Sequence, residues 1–150
     1  MMVEIEVKEP EQAAPKKKAK VVHTLGQRKE AVASAITRAG TGIIRINGRP
    51  LELFQPEMAR MKLMEPLVLA GESAKLVDID LTIKGGGTMG QADAGRQAMA
   101  LGMVGFDRKL KSIFLGYDRT LLVADFRRTE PHKPSRSSAG PRRHKQRSKR

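Results

Sequence analysis

Residues 76–103 read LVDIDLTIKGGGTMGQADAGRQAMALGM and carry the strongest local signals for secondary structure in the chain. Apolar and polar residues alternate over residues 76–84, which is typical of a strand that is buried on one face. Residues 88–103 are rich in Ala, Gln and Met and contain no Pro, which predicts a helix. The chain therefore places a half-buried strand, a glycine turn and a helix directly after one another.

Shorter apolar runs that begin at Val21 predict further strands before this unit. Residues 31–38 are small or β-branched, and residues 42–47 are short and apolar. We expect these two runs to pair as a hairpin closed by a turn at residues 39–42.

A helix is predicted after a second turn. The Asn-Gly pair at residues 47–48 indicates that turn, and residues 51–54 are expected to add a short edge segment. Pro56 suits the first position of a helix, which we expect to continue until Pro66 interrupts it. The methionines of this helix are expected to fill the core rather than to line a binding groove.

Two segments complete the predicted domain. Residues 107–115 have a helical pattern that is expected to stop at Gly116, and residues 121–126 form a last apolar segment, predicted to be a strand. The order of strands, helix, strand, two helices and strand predicts an α+β domain of two layers, with the helices on one face of a mixed sheet.

The positive charge is distributed unevenly along the chain. The 150 residues carry a formal net charge of +13. Residues 1–20 have a net charge of +1, residues 21–126 of +3, and residues 127–150, with ten basic residues and one acid, of +9. We therefore expect a flexible N-terminal arm at 1–20, a globular domain at 21–126 and an extended basic tail at 127–150.

The composition argues against several classes of protein. No apolar run approaches the roughly 18 residues that a membrane-spanning helix needs. The first residues carry acids where a signal peptide would be apolar, so we expect no secretion. The chain has no Cys, which leaves no disulfide framework or zinc ribbon and fits a reducing cytoplasm.

The glycine turn at residues 85–90, GGGTMG, satisfies the pattern G-x-G-x-x-G between a strand and a helix. A nucleotide-binding enzyme is one interpretation, but a dinucleotide fold needs a run of parallel strands after the loop. A turn that permits tight packing is the second. In the third, the loop and the helix start hold the phosphates of a polynucleotide. We expect no cofactor.

Other catalytic or metal-binding patterns are weak. Asp78 and Asp80 project from one face of the predicted strand, as a metal-binding pair would, but no third ligand lies near them in sequence. His23, His132 and His144 are scattered over the chain. We therefore expect neither a metal site nor an enzyme.

The basic tail is the strongest functional signal. Seven of its ten basic residues are Arg, whose planar guanidinium matches phosphate oxygens. It lacks the apolar anchors that an anionic membrane would favour. All five aromatic residues are expected to lie in the core, which leaves no platform for stacking bases. The tail therefore predicts backbone-dominated binding to a large polynucleotide.

Four motifs together resemble the family of the ninth protein of the small ribosomal subunit. They are GQRKEA at 26–31, GIIRINGRP at 42–50, GGGTMGQADA at 85–94 and the terminal SKR at 148–150. Residues 117–131 resemble its archaeal and eukaryotic branch. The chain departs from the family at Leu101, where a basic residue is usual, and in lacking an aromatic near the end of the tail.

The resemblance implies a left-handed βαβ fold shared with the second domain of the fifth small-subunit protein. It also implies a cytoplasmic ribosomal protein that binds rRNA in the subunit head beside neighbouring head proteins, and whose tail approaches the anticodon stem-loop of the P-site tRNA. A free RNA chaperone or nucleic-acid-compacting protein is the alternative. The residues expected to meet rRNA are Arg28, Lys29, Arg45, Lys84, Gly85, Gly86, Gly87, Gln91, Arg127, Arg128, Lys133, Arg136, Arg142, Arg143, Lys145 and Arg147. Those implied to meet tRNA are Ser148, Lys149 and Arg150.

Overall fold

The computed structural model describes residues 20–128. The arm predicted at residues 1–20 lies outside the described residues except for Lys20, and so does the tail from residue 129 onward. The strands and helices are, in chain order, β1 (Val21–Arg28), β2 (Ala31–Ala39), β3 (Ile44–Ile46), β4 (Arg49–Pro50), α1 (Glu57–Ala70), β5 (Val77–Lys84), α2 (Thr88–Phe106) and α3 (Leu110–Tyr117). Short 3-10 turns occupy Leu51–Leu53, Gly71–Leu76 and Arg119–Leu121.

The strands form one mixed sheet in the order β1-β2-β5-β3-β4. β3 and β5 run parallel, and every other neighbouring pair is antiparallel. Since α1 connects two parallel neighbours, β3, α1 and β5 make a βαβ unit. The helices pack on the sheet, which confirms the predicted α+β class with a mixed sheet.

The hairpin predicted between residues 31–38 and 42–47 is wrong. β2 pairs instead with β1, through a two-residue turn at Lys29 and Glu30, and with β5. β3 lies on the far side of β5. The Asp78 carboxylate of β5 helps to hold the connection from β2 to β3, because it accepts hydrogen bonds from the backbone N–H of Thr41 at 2.8 Å and of Ile43 at 2.9 Å.

The turn predicted at residues 47–48 is confirmed. Asn47 and Gly48 have φ values of 49° and 80°, the left-handed geometry that two-residue hairpin turns require. The Asn47 side chain also accepts from the Ile83 N–H at 2.9 Å, which ties the hairpin to β5. The predicted edge segment at residues 51–54 is wrong, since the edge strand is Arg49–Pro50 and a 3-10 turn follows it.

Helix α1 follows Pro56 as predicted, but it does not stop at Pro66 and continues to Ala70. A proline inside a helix removes one hydrogen bond, and here burial of Leu63 and Pro66 holds the helix together across that gap. The prediction that its methionines fill the core is also wrong. The exposed methionines of α1 are Met58, Met61 and Met64.

The core lies between the sheet and α2. The alternation over residues 76–84 is confirmed, since Val77, Ile79, Leu81 and Ile83 of β5 are all buried. α2 presents mainly Ala, Gly and Met to this layer, so its backbone lies close to the strands. The opposite face of the sheet carries exposed and half-buried side chains.

The last part of the domain differs from the prediction. α3 runs past Gly116 to Tyr117, and its start is delayed because the Asp107 carboxylate accepts from the Lys109 N–H at 3.0 Å in a turn. Within the described part of the chain, residues 121–126 contain no strand. Leu121 is fully buried there and Leu122 packs partly against the core, but Val123, Ala124 and Phe126 are exposed, and no described strand pairs with this segment. No helix within residues 20–128 is long and apolar enough to cross a bilayer.

Candidate nucleic-acid interface

The glycine loop owes its first two glycines to local geometry. Gly85 and Gly86 have φ values of 75° and 64°, which disfavour any side chain. A Cβ at Gly85 would lie 2.7 Å from the Glu30 carbonyl oxygen, and one at Gly86 would lie 2.9 Å from the Ala31 nitrogen. Gly87 has a φ of −94° and open space around it. Tight packing therefore explains Gly85 and Gly86 and leaves Gly87 unexplained.

The loop leads into the N-terminus of the 19-residue helix α2. The first intrahelical bond runs from the Gln91 N–H to the Gly87 carbonyl at 2.9 Å, so the N–H groups of residues 88–90 precede it and have no helical acceptor. These amides and the helix dipole favour an anion at this end. The Gln91 side chain donates to the Gly85 carbonyl at 3.1 Å and so holds the loop in place.

An open cleft of about 750 Å³ lies between this helix start and the β1–β2 turn. Lys29 from that turn and Arg128 from the end of the described chain both line it. Its lining residues are Gln27, Arg28, Lys29, Glu30, Gly86, Gly87, Thr88, Met89, Gly90, Asp93 and Arg128. The glycine-loop cleft, as we call it, thus combines backbone amides with cations from two segments that are far apart in sequence.

Arg28 is only partly available at this cleft, because two carboxylates pair with it. Its Nε lies 3.7 Å from Asp93, and its Nη1 contacts Asp125. Arg127 binds the same Asp125 carboxylate, with Nε at 2.9 Å and Nη2 at 2.6 Å from Oδ2. Hydrogen bonds from Arg127, and then from Arg28, hold the pKa of Asp125 well below its usual value. Asp125 therefore bridges the sheet and the start of the predicted tail.

Arg96 of α2 makes a second bridge. Its guanidinium contacts Glu65 of α1 and donates to Asp118 and Thr120 at 2.8 Å each. Burial lowers the pKa of Arg96, but Glu65 and Asp118 raise it by more, so that it lies above its usual value. For Asp118, burial raises the pKa, but bonds from Thr120 and Arg96 lower it below the usual value. These bonds fix the chain after α3 against both long helices.

Taken together, these ion pairs join equal numbers of basic and acidic groups. The cluster contains Arg28, Lys62, Arg96 and Arg127 with Glu65, Asp93, Asp118 and Asp125. Since its charges cancel, it serves to attach residues 118–127 to the domain rather than to attract phosphate. No sequence signal pointed to this cluster, because its members are spread over about 100 residues and meet only in the fold.

The other predicted RNA-binding residues are dispersed. Lys84 ends β5 beside the loop, opposite Val32 on the face of the sheet away from the helices. Arg45 lies opposite Asp80 on that same face and does not line the cleft. The predicted residues that lie outside the described part of the chain are Lys133, Arg136, Arg142, Arg143, Lys145, Arg147, Ser148, Lys149 and Arg150.

Of the two carboxylates Asp78 and Asp80, Asp78 has a structural role. Hydrogen bonds from the N–H groups of Ile43 and Thr41 lower the pKa of Asp78 below its usual value. Within residues 20–128, no group of three or more His, Asp or Glu side chains is arranged to hold a metal ion.

The assignment of all aromatic residues to the core is wrong for two of them. Phe114 is fully buried, but Tyr117 is exposed and Phe126 is 91% exposed. The apolar composition of residues 121–126 predicted that they are buried, whereas only the first of them, Leu121, is fully buried. The two Arg that follow Phe126 were the available signal for an exposed aromatic.

Comparison with known proteins gives a consistent result. The sequence profile of a family described as "Ribosomal protein S9/S16" matches residues 26–150. Curated relatives named "Small ribosomal subunit protein uS9" from Methanococcus vannielii and Methanococcus maripaludis are each 56% identical to the chain over 131 residues. Each alignment covers 86% of this chain and 98% of the relative.

Proposed function

Because this chain belongs to the ribosomal protein S9/S16 family, we propose that it binds small-subunit rRNA through the glycine-loop cleft and its basic C-terminal segment. It is a structural protein of the small ribosomal subunit with archaeal homologues, and its location is the cytoplasmic ribosome. The observation that carries the proposal is the cleft, where Lys29, the open amides of α2 and Arg128 come together.

The chemistry of the cleft suits a polyanion better than a single nucleotide. Free amides and cations bind phosphate oxygens of any nucleotide, and such contacts position a protein on nucleic acid. Arg128 lies at the start of the basic segment 127–150, which carries most of the net charge. An RNA strand held in the cleft would therefore lead directly to that segment. Contacts continue along the phosphate backbone for as far as the basic residues extend.

The rival nucleotide-binding enzyme has little support. Packing against Glu30 and Ala31 accounts for two of the three consecutive glycines. A dinucleotide fold also binds its ligand beside a run of parallel strands. Within the described residues β3 and β5 are the one parallel pair. We propose that the chain has no catalytic activity.

The finer assignments follow the family resemblance. Residues 21–126 anchor the protein in the subunit head beside other head proteins, and residues 127–150 act as the arm that follows rRNA. The last residues, Ser148, Lys149 and Arg150, contact the anticodon stem-loop of the P-site tRNA. The βαβ unit of β3, α1 and β5 has the left-handed crossover of the fifth small-subunit protein's second domain.

Co-sedimentation tests the ribosomal role against that of a free RNA chaperone. We expect the tagged chain to be present at one copy per small subunit after a high-salt wash, because a built-in component is held by many contacts at once. Small-subunit proteins that remain in the washed particles provide the reference. Loss of the chain in the wash, with recovery among free RNA-binding proteins, would favour the chaperone.

The tRNA contact is tested by deleting residues 148–150 from the chain. Subunits assembled with the shortened chain should contain normal amounts of it but should bind P-site tRNA several-fold more weakly, since two cations are lost near the tRNA phosphates. Filter binding of tRNA to purified subunits measures this. Unchanged tRNA affinity in fully loaded subunits would contradict the assignment.

A further inference from the structure

Phe126 is an apolar aromatic side chain that the fold leaves in solvent. Its exposure of 91% is the highest among the large apolar residues that are exposed in the described chain. An aromatic ring carries a large apolar area, and burying that area is favourable. The domain core does not use this ring, so it is free to be covered by something outside the chain.

The ring is also held in a defined place. Asp125, on its N-terminal side, is tied to Arg28 of β1, and Arg127, on its C-terminal side, is tied to Asp125. The Arg127 N–H also donates to the Asp125 carboxylate at 2.9 Å. Phe126 therefore sits between two anchored residues, and a partner that binds its ring has little chain entropy to overcome.

The surroundings of the ring are cationic. A shallow hollow of about 290 Å³ beside it is lined by Arg119, Thr120, Val123, Ala124, Asp125, Phe126 and Arg127. Arg128, which follows directly, lines the glycine-loop cleft. A protein partner would require a broad apolar patch, whereas this site offers one ring, one Val and one Ala among polar and charged groups.

We propose that Phe126 is a base-stacking residue that takes an unpaired nucleobase of RNA on its ring, while Arg119 and Arg128 meet the adjacent phosphates. The inference rests on the proposed rRNA binding and deepens it. Aromatic rings stack on any base because every base has a flat π face. The site therefore selects for an unpaired nucleotide at this point and not for a particular sequence.

The test uses the full chain and a protein-free transcript of the head domain of small-subunit rRNA. We expect Phe126→Ala to weaken binding by about 5- to 150-fold, the range for one stacked base. The slope of affinity against salt should not change, because stacking releases no counterions. Val68→Ala, which alters an exposed residue of α1, is the matched control and should bind as the wild type does.

Phe126→Trp provides a direct readout, because the natural chain contains no Trp. This variant should bind at least as tightly as wild type, and its fluorescence should be quenched by the transcript. Phe126→Leu should bind as weakly as Phe126→Ala. Thermal unfolding of all variants should match wild type, since the ring is outside the core.

Several outcomes would overturn the inference. They are full affinity in Phe126→Ala, full affinity in Phe126→Leu, or an effect that appears only when other subunit proteins are present. The last outcome would point to a protein partner. In each of these cases the wild type still binds the transcript, so rRNA binding itself survives. A wild-type chain that does not bind the transcript would overturn both proposals.

Discussion

Truncating the chain after Arg128 is expected to remove most of the salt dependence of its rRNA binding. The deleted residues 129–150 contain eight basic residues and one acid. If the full chain neutralises six to ten phosphates, its affinity should fall about 10³- to 10⁵-fold between 50 and 200 mM salt. The truncated chain keeps only the cations near the cleft. If these neutralise roughly three phosphates, its affinity should fall less than about 100-fold over the same salt range.

Filter binding at three or more salt concentrations measures both slopes. The matched control removes residues 1–19 instead, a segment of similar length whose four Lys and four Glu cancel. That deletion should leave the slope unchanged, because a neutral segment displaces few counterions. Equal slopes for the full chain and for the chain truncated after Arg128 would show that the phosphates are held by the domain and not by the tail.

Gly26→Ala is expected to destabilise the domain by about 3 kcal/mol, at the upper end of the usual range for overpacking. A Cβ at Gly26 would lie 2.1 Å from the Ala94 carbonyl oxygen and 2.7 Å from the Ala98 nitrogen, both in the backbone of α2. Backbone atoms of a packed helix cannot rotate away as a side chain can. The extra methyl must therefore push α2 off β1.

Gly87→Ala is the matched control for this substitution. No atom lies within 4 Å of a Cβ at Gly87, and its φ is negative, so stability should change by less than about 1 kcal/mol. Urea unfolding of the three proteins, followed by far-ultraviolet circular dichroism, gives the comparison. A cost below about 1 kcal/mol for Gly26→Ala would mean that α2 shifts easily and that the close packing is not required.

Gly26 illustrates how a recognisable motif can have a structural origin. It belongs to the GQRKEA motif at residues 26–31, which contributed to the resemblance to ribosomal proteins. In the fold, α2 packs so closely against β1 that its backbone fills the space where a side chain at Gly26 would lie. Its neighbour Lys29 lines the cleft instead. One short motif thus combines a packing requirement with a candidate contact to RNA.

Local patterns predicted the elements better than their partners. The alternation in β5, the turn at residues 47–48 and the helix after the glycine loop are properties of neighbouring residues, and all three are confirmed. The predicted pairing of β2 with β3 was wrong because strands that are adjacent in sequence are not always adjacent in a sheet. Here β5 lies between β2 and β3, and Asp78 ties down the connection between them.

The candidate site divides in the same way. Its cations and glycines could be selected from the sequence because their chemistry and composition are visible there. Whether each cation is free of an acidic partner could not be predicted from the sequence, since Arg28 and Arg127 meet Asp125 only after the chain has folded. The exposure of Phe126 likewise depends on how the Asp125–Arg28 ion pair attaches this segment to the domain.

The α+β class, the family and the concentration of charge in the last 24 residues could be predicted from the sequence alone, because composition, periodicity and motif spacing are local quantities. The folded chain was needed to show that β5 separates β2 from β3, that a neutral ion-pair cluster attaches residues 118–127 to the helices, and that Lys29 and Arg128 share a cleft. The physical reason is that ion pairs and packing act over a few ångströms in space, between residues up to about 100 positions apart in the chain.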